Sequence, residues 1–214
     1  MADNMSQSRI LGVILAGGAS SRMGVEKTLA PLAGRPLLAH VIARFAPQVT
    51  ALALNANGDP ARFAPFGLPV FPDLAAPGAE REGPLAGVIA ALQYAGAQRC
   101  EMLATVPGDA PFLPLDLTAK LAAAFELRHL FCLARSRDGL EPLFGLWRMT
   151  ALAPLEAAFA QGERAIHRLA KTLPHAEASW AASTGPNPFA NINTPAELAK
   201  TEAVVAKMQN NTRR

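Results

Sequence analysis

Short apolar runs alternate along this chain with longer stretches in which apolar residues recur every third or fourth position. Ile10–Leu15 reads as a buried strand, and Pro36–Ala46 (PLLAHVIARFA), opened by a proline, reads as a helix. Thr50–Leu54 is a second predicted strand and stops at Asn55-Ala56-Asn57-Gly58-Asp59, a run of turn formers. Pro69–Phe71 gives a short third strand ahead of Asp73, then Pro84–Ala95 a helix and Met102–Val106 a central strand. Pro114–Leu127 is a predicted helix and His129–Ala134 a strand. This order predicts an α/β fold, a three-layer α/β/α sandwich whose mostly parallel sheet is covered on both faces. The second half departs from it. Leu143–Trp147 is a strand joined to His129–Ala134 by the charged loop Arg135–Glu141, so an antiparallel part is expected there. Thr150–Gln161 and Ala165–Lys171 follow as helices, His175–Trp180 as an edge strand, and Pro195–Met208 as the last helix. Thr194, Pro195 and Glu197 give that helix a start with capping-box spacing.

Composition narrows the class. Half of the 214 residues are hydrophobic and 17% are charged, which suits one globular domain with a full core. The ends, Met1–Ser8 and Gln209–Arg214, are expected to be disordered. The net charge of +3 is mild, and no basic run is interleaved with aromatics, so nucleic acid is not an expected partner. Cys100 and Cys132 lie in or beside apolar, strand-like stretches and read as buried small hydrophobes in a reducing compartment. His40, His129, His167 and His175 have neither partner cysteines nor the helical spacing of a zinc site. No stretch approaches membrane-spanning length, and the apolar run after the polar N-terminus stops at Gly17, too short for a signal peptide. A cytoplasmic protein is expected.

The candidate chemistry starts where the first strand ends. Leu15-Ala16-Gly17-Gly18 turns the backbone tightly and leaves N–H groups free to face an anion; Arg22, Gly24 and Lys27 follow. Two cations on such a turn suit a nucleoside triphosphate. The spacing is neither that of a Walker A loop nor that of the G-x-G-x-x-G fingerprint, and a Gly-Gly after a strand is often only a tight βα turn. Arg22 and Lys27 tip the balance to the functional reading. Opposite them, three predicted strand ends carry polar residues: Asn55, Asp73 and Asp109. In an open α/β sheet ligands sit outside the carboxyl ends of the strands. A carboxylate at Asp109 can hold Mg²⁺, or it can simply cap the turn before Pro111; Asn55 and Asp73 can be turn formers alone. Leu74–Gly83 is the conspicuous irregular loop on the way to the second helix.

Taken together, these residues resemble the molybdenum cofactor guanylyltransferases, within the Rossmann-like nucleotidyltransferases. The elements are Leu15–Gly18 with Arg22-Met23-Gly24 and Lys27, Leu32–Pro36, Asn55-Ala56-Asn57, Gly67–Val70 with Asp73, Gly83-Pro84-Leu85-Ala86-Gly87, Asp109–Phe112, Gly145–Trp147 and Asn191–Pro195. The resemblance spans nearly the whole chain. It implies transfer of GMP from GTP to molybdopterin carrying molybdenum, with release of pyrophosphate. It further implies that the backbone of Leu15, Ala16, Gly17 and Gly18, with Lys27, Asn55, Asp73 and Asp109, contacts GTP, and that Asp109 holds Mg²⁺. Gly83–Gly87 would lie beside the nucleotide, and Asn191 and Asn193 would face the pterin. Arg22, Lys27 and Asp109 are then the catalytic residues, stabilising the triphosphate and the leaving pyrophosphate. On this reading residues 9–113 bind the nucleotide and 114–208 the acceptor, and molybdoenzymes or other cofactor-biosynthesis proteins are further candidate partners. Two positions depart from the family's pattern: Glu141-Pro142 stands where a His-Pro pair is expected, and a carboxylate there is unhelpful to an anionic pterin unless it points away; Pro107-Gly108 stands before Asp109 where a Thr- or Cys-containing version is expected.

Two other readings differ in substrate or in class. A cytidylyltransferase acting on the same cofactor would show Leu-Ala-Ala-Gly where this chain has Leu15-Ala16-Gly17-Gly18. A non-catalytic GTP-binding delivery protein would have no evident need for both Lys27 and Asp109.

Overall fold

The computed structural model describes residues 9–17, 26–73, 83–180 and 187–212, the last seven of these in backbone only. The first strand, β1 (Ile10–Leu15), carries the fully apolar run predicted for it and lies in the interior of a seven-stranded sheet. After it come a tiny hairpin, β2 (Pro31–Leu32) and β3 (Arg35–Pro36), and the helix α1 (Leu37–Phe45). Then follow β4 (Ala51–Asn55), β5 (Val70–Phe71), α2 (Gly83–Ala97) and β6 (Met102–Pro107). The second half supplies α3 (Leu117–Ala123), β7 (Phe131–Ser136), β8 (Gly139–Arg148), α4 (Leu152–Ala160), α5 (Ile166–Leu169), β9 (His175–Ser179) and α6 (Pro195–Thr212). The sheet order is β5-β4-β1-β6-β8-β7-β9. Every pairing is parallel except those of β8 with β6 and β7. The predicted mostly parallel sheet with an antiparallel part in its second half is what the chain forms.

Two cores sandwich the sheet, because β1, β4 and β6 send apolar side chains to both faces. On one face Leu38, Val41 and Phe45 of α1 and Leu117 and Leu121 of α3 pack on Ile14, Leu54 and Val106. On the other, Leu85, Val88, Ile89 and Leu92 of α2 pack on Leu11, Val13 and Leu103, with Leu155 of α4 and Ile166 of α5 beyond them. Both cysteines are free thiols in these interiors, and burial pushes the Cys132 thiol up to about 12, so it stays protonated near neutral pH. No helix among the described residues is long and apolar enough to cross a membrane.

Several boundaries differ from the sequence-based ones for local reasons. The helix predicted over Pro114–Leu127 shrinks to α3. Gln48 caps its start from outside, accepting from Thr118 N (3.0 Å) and donating to Pro114 O (2.8 Å), and Glu126 N donates to His129 Nδ1 (3.1 Å) just beyond its end. The predicted loop Arg135–Glu141 is mostly strand: β7 runs to Ser136 and β8 starts at Gly139, leaving Arg137 and Asp138 as the turn. Between them the register jumps, with Leu133 opposite Gly145 but Ala134 opposite Glu141. Pro142 sits in that bulge, where its missing N–H removes no ladder bond. The last helix continues through Thr212 instead of ending at Met208, since Gln209–Thr212 contains neither Gly nor Pro. The β2–β3 hairpin is an addition, turned by Ala33 and Gly34, both at positive φ.

The motif Gly145-Leu146-Trp147 is accounted for by packing. Trp147 is fully buried, and its indole N–H donates to the buried Thr105 Oγ1 at 2.9 Å. A Cβ at Gly145 would lie 2.8 Å from Trp147 Nε1 and 3.0 Å from Leu133 Cδ2. Gly145→Ala is therefore expected to destabilise the fold by about 1–3 kcal/mol through overpacking, read as a lower urea midpoint. An unchanged midpoint would mean that the indole has room to move.

Candidate active site

Register brings the candidate residues to one edge. Leu15, the last residue of β1, is opposite Asn55 of β4 on one side and Pro107 of β6 on the other, and Asn55 is opposite Phe71 of β5. Four parallel strands thus end at one level within about 14 Å, three strand spacings. Past those ends come Ala16-Gly17, Ala56-Asn57, Pro72-Asp73 and Gly108-Asp109. Ala16 N donates to Asn55 O (2.9 Å) and Gly108 N to Leu15 O (3.0 Å), so the ladder continues one step into the loops.

At the β6 side, Lys27 and Asp109 form an ion pair, Nζ to Oδ2, and Lys27 Nζ also donates to Asn193 Oδ1 at 2.5 Å. Lys27 opens the short 3₁₀ turn Lys27–Leu29, Asp109 follows β6, and Asn193 comes from the far end of the chain. The last of these is seated by backbone: Ile192 N donates to Asp109 O at 3.0 Å. Both charged side chains are mostly covered, 17% and 14% exposed, and Asp109 Oδ1 is buried with no hydrogen-bond partner among the described residues. A buried, unsatisfied carboxylate oxygen is costly unless a cation or donor completes it. One hard oxygen fits Mg²⁺, which takes the rest of its shell from water and phosphate oxygens. Among the described residues no three His, Cys, Asp or Glu side chains converge into a cluster that would hold a metal on protein ligands alone.

At the β4–β5 side, Asn55 is buried and its amide Nδ2 donates to Phe71 O at 3.4 Å. Asp73 is held by Asn57 in both directions: Asn57 Nδ2 donates to Asp73 Oδ2 and Asp73 N donates to Asn57 Oδ1, each at 2.8 Å. Asp73 Oδ1 is left buried and unpartnered among the described residues, as Asp109 Oδ1 is. The first turn of α2 closes over this pair. A Cβ on Gly87 would come within 2.8 Å of Asn55 Oδ1 and 3.4 Å of Asp73 Oδ1, so only a glycine lets the helix approach. Gly83, which opens α2, backs onto the carbonyl of Arg164.

Of the candidate residues, Leu15, Ala16, Gly17, Lys27, Asn55, Asp73, Gly83, Asp109, Asn191 and Asn193 are described, and Gly18 and Arg22 lie outside the described residues. So does most of the loop Leu74–Gly83. Asn191 and Asn193 are exposed on one short segment, with Asn193 Nδ2 donating to Asn191 O at 3.4 Å. Glu141 accepts from the Ser136 side chain on the β7–β8 hairpin, and burial pushes its carboxyl up. Asn57 is legible in the sequence as a turn former and as part of the Asn55-Ala56-Asn57 element, with no role of its own, and Arg62, which donates to Asn57 O, carries no sequence signal at all.

A sequence profile of the MobA-like NTP transferase domain matches residues 12–178. A molybdenum cofactor guanylyltransferase from Rhodobacter capsulatus is 46% identical over 197 residues, 91% of this chain and 95% of that protein. One from Rhodopseudomonas palustris is 42% identical over 91% of this chain and 93% of that protein. The chain belongs to the molybdenum cofactor guanylyltransferase family. As such it is a nucleotidyltransferase. The crystal structure of a molybdopterin-guanine dinucleotide biosynthesis protein A from Archaeoglobus fulgidus superposes with a TM-score of 0.71 over 92% of this chain and 99% of that one; at 23% identity it shares the fold.

In this family member the capping box at α6 is what shapes the Asn193 turn. Glu197 Oε2 accepts from Asn193 N (2.6 Å) and Thr194 N (3.0 Å), and Glu197 N donates to Thr194 Oγ1 (3.2 Å). The Asn193 N–H above all holds the Glu197 carboxyl below its ordinary range. A depressed folded value means that the cap is intact at neutral pH and is lost as pH falls through that value, below the usual glutamate range. The Asn193 and Thr194 amide proton shifts should titrate together there, and Glu197→Gln should abolish the transition. Two amides titrating apart, or at the ordinary value, would show that the cap does not order the turn.

Proposed function

We propose that this protein transfers GMP from GTP to molybdopterin carrying molybdenum, forming the guanine dinucleotide cofactor and pyrophosphate. The observation that carries the reading is the row of aligned strand ends bearing two half-buried carboxylates, Asp73 and Asp109, each with one buried oxygen that has no partner among the described residues. Asp109, 14% exposed beside Lys27, and Asp73, held by Asn57, suit in a family of nucleotidyltransferases a ligand that brings its own donors and cations.

The nucleotide lies across the β5-β4-β1-β6 edge. The backbone of Leu15–Gly18 lies beside the nucleotide, with the Ala16 N–H already given to Asn55 O; Lys27 balances the triphosphate, and Asn55 and Asp73 pair with the nucleoside's donors. Asp109 holds Mg²⁺, which when bound neutralises charge on the phosphate oxygens and the departing pyrophosphate. Arg22 adds a second cation on the first loop. The acceptor lies against Asn191 and Asn193, within the part of the chain from residue 114 onward, leaving residues 9–113 to the nucleotide. Asn193 borders both, since it shares Lys27 with Asp109.

The chemistry asks for little beyond alignment. A phosphate oxygen of the pterin substrate attacks the α-phosphorus of GTP, its bond to phosphorus forms as the α–β bridging P–O bond breaks, and the electron pair leaves with pyrophosphate. The nucleophile arrives with the substrate, so the protein supplies position and charge. Lys27 can do both: its compact ammonium, already shared between Asp109 and Asn193, sits where phosphate oxygens would replace a carboxylate partner.

Asp109→Asn should lower turnover roughly a thousandfold or more with the fold intact, the scale on which removing preorganised charge stabilisation acts. Normal turnover of that variant with Mg²⁺ would refute the role given to Asp109. Lys27→Ala should weaken GTP binding by roughly ten- to a hundredfold, the value of one or two charge-assisted contacts. Calorimetry with GTP and CTP, each with Mg²⁺, should detect GTP alone. A preference for CTP would make the enzyme a cytidylyltransferase, and silence from both would remove the nucleotide from this edge.

A further inference from the structure

Arg62 ties together two segments that the proposed reaction keeps apart. It lies in the 3₁₀ turn Pro60–Phe66, outside every motif read from the sequence. Its Nη2 donates to the carbonyl of Asn57 at 2.5 Å and faces Glu26 Oε2 at 3.4 Å. Asn57 is the residue that clasps Asp73 from both sides. Glu26 immediately precedes Lys27 and also accepts from Thr28 Oγ1 at 3.3 Å. One guanidinium thus joins the clasp at the β4–β5 end to the lysine segment at the β6 end.

The surroundings fix the guanidinium in that place. It lies 4.7 Å over the ring of Phe63, which is fully buried. Gly58 leaves the space it fills: a Cβ there would be 2.9 Å from Arg62 Nη1, and the backbone holds φ at +80°. Arg62 Nε is buried without a partner among the described residues, so the side chain gives up one of its own hydrogen bonds in this pose. A single ion pair that still reaches solvent, its side chains 29% and 21% exposed, contributes little to stability, and an unpaired buried N–H works against it. Stability alone does not explain the arrangement.

Resting on the nucleotide reading above, we propose that Arg62 is a positioning residue for GTP. It fixes the turn that aims Asp73 at the nucleoside and holds that turn in register with Lys27 at the triphosphate. It touches no substrate and acts through Asn57 and Asp73 on one side and through Glu26 on the other. A lysine cannot replace it: both contacts come from Nη2, which stands one bond further from Cα than a lysine ammonium, at the end of a planar group laid over Phe63.

The test is a double-mutant cycle read by calorimetric binding of GTP with Mg²⁺ to the full chain. Arg62→Ala should weaken GTP about tenfold, and the same change in an Asp73→Asn background should cost less than about threefold, because the aimed group is already gone. Arg62→Lys should bind GTP at least about fivefold more weakly than wild type while keeping the charge. If Arg62→Ala lowers the urea midpoint enough to leave unfolded chain, the cycle is run with Arg62→Lys, which retains the stem over Phe63. Additive losses in the two backgrounds would overturn the proposal, as would full affinity in Arg62→Lys, since a bare positive charge would then suffice. Wild-type protein that fails to bind GTP would instead sink the nucleotide reading beneath it, and the two failures are told apart by that first titration.

Discussion

Everything at the candidate site depends on one register. Leu15 is paired with both Asn55 and Pro107, and Asn55 with Phe71, so four parallel strands release their chains at the same height. Slipping β4 by a single residue would turn the Asn55 side chain to the opposite face and carry it away from Gly87. The apolar alternation of β1 and β4 against two cores makes such a slip expensive, because each face is already packed by helices. The strands are therefore fixed by burial, and the polar residues just past their ends inherit that precision without contributing to it.

The second constraint closes the site from the far end of the chain. Segment 191–193 is held by Ile192, buried with Ala30, Leu32 and Leu37 in a small separate cluster against which Leu198 and Val205 of α6 pack. The β2–β3 hairpin carries Leu32 between Ala30 and Leu37, and it follows directly on the turn that carries Lys27. The same packing that seats α6 thus delivers Asn193 to Lys27, and Ile192 N to the carbonyl of Asp109. Residues 166 positions apart meet because a few apolar side chains next to each of them pack together.

Much of this was legible in the sequence. The strand–helix alternation, the antiparallel β7–β8 pair and the polar strand ends follow from periodicity and turn chemistry, which are local. What local pattern cannot show is reach. Gln48 caps a helix 70 residues away, which no window around Pro114 reveals, so α3 reads too long from sequence. The bulge that lets Pro142 into β8 depends on the register shift between Leu133 and Ala134 of β7, which is a pairing property. Asn57 and Asp59 look alike as turn formers, yet one clasps Asp73 and the other caps its own turn at Ala61. Gly145–Trp147, legible as a motif, turns out to be explained by the indole that needs the glycine's space.

Absent side chains do as much for the site as present ones. A Cβ on Gly108 would lie 2.9 Å from Thr28 Cγ2, a contact that real structures essentially never hold, and would touch Ala16 Cα at 3.5 Å. Its absence lets the turn Lys27–Leu29 lie directly against the end of β6, with Thr28 buried beneath it. Only from that seat does Lys27 reach Asp109. Were the turn to ride outward by the width of a methyl group, the ammonium would gain water and lose the carboxylate, and in water the attraction between the pair falls severalfold. Gly87 does the same for α2 above Asn55 and Asp73. The charge arrangement on this edge is thus a consequence of close backbone packing, which places a lysine and two carboxylates where solvent cannot complete them and leaves that to a ligand.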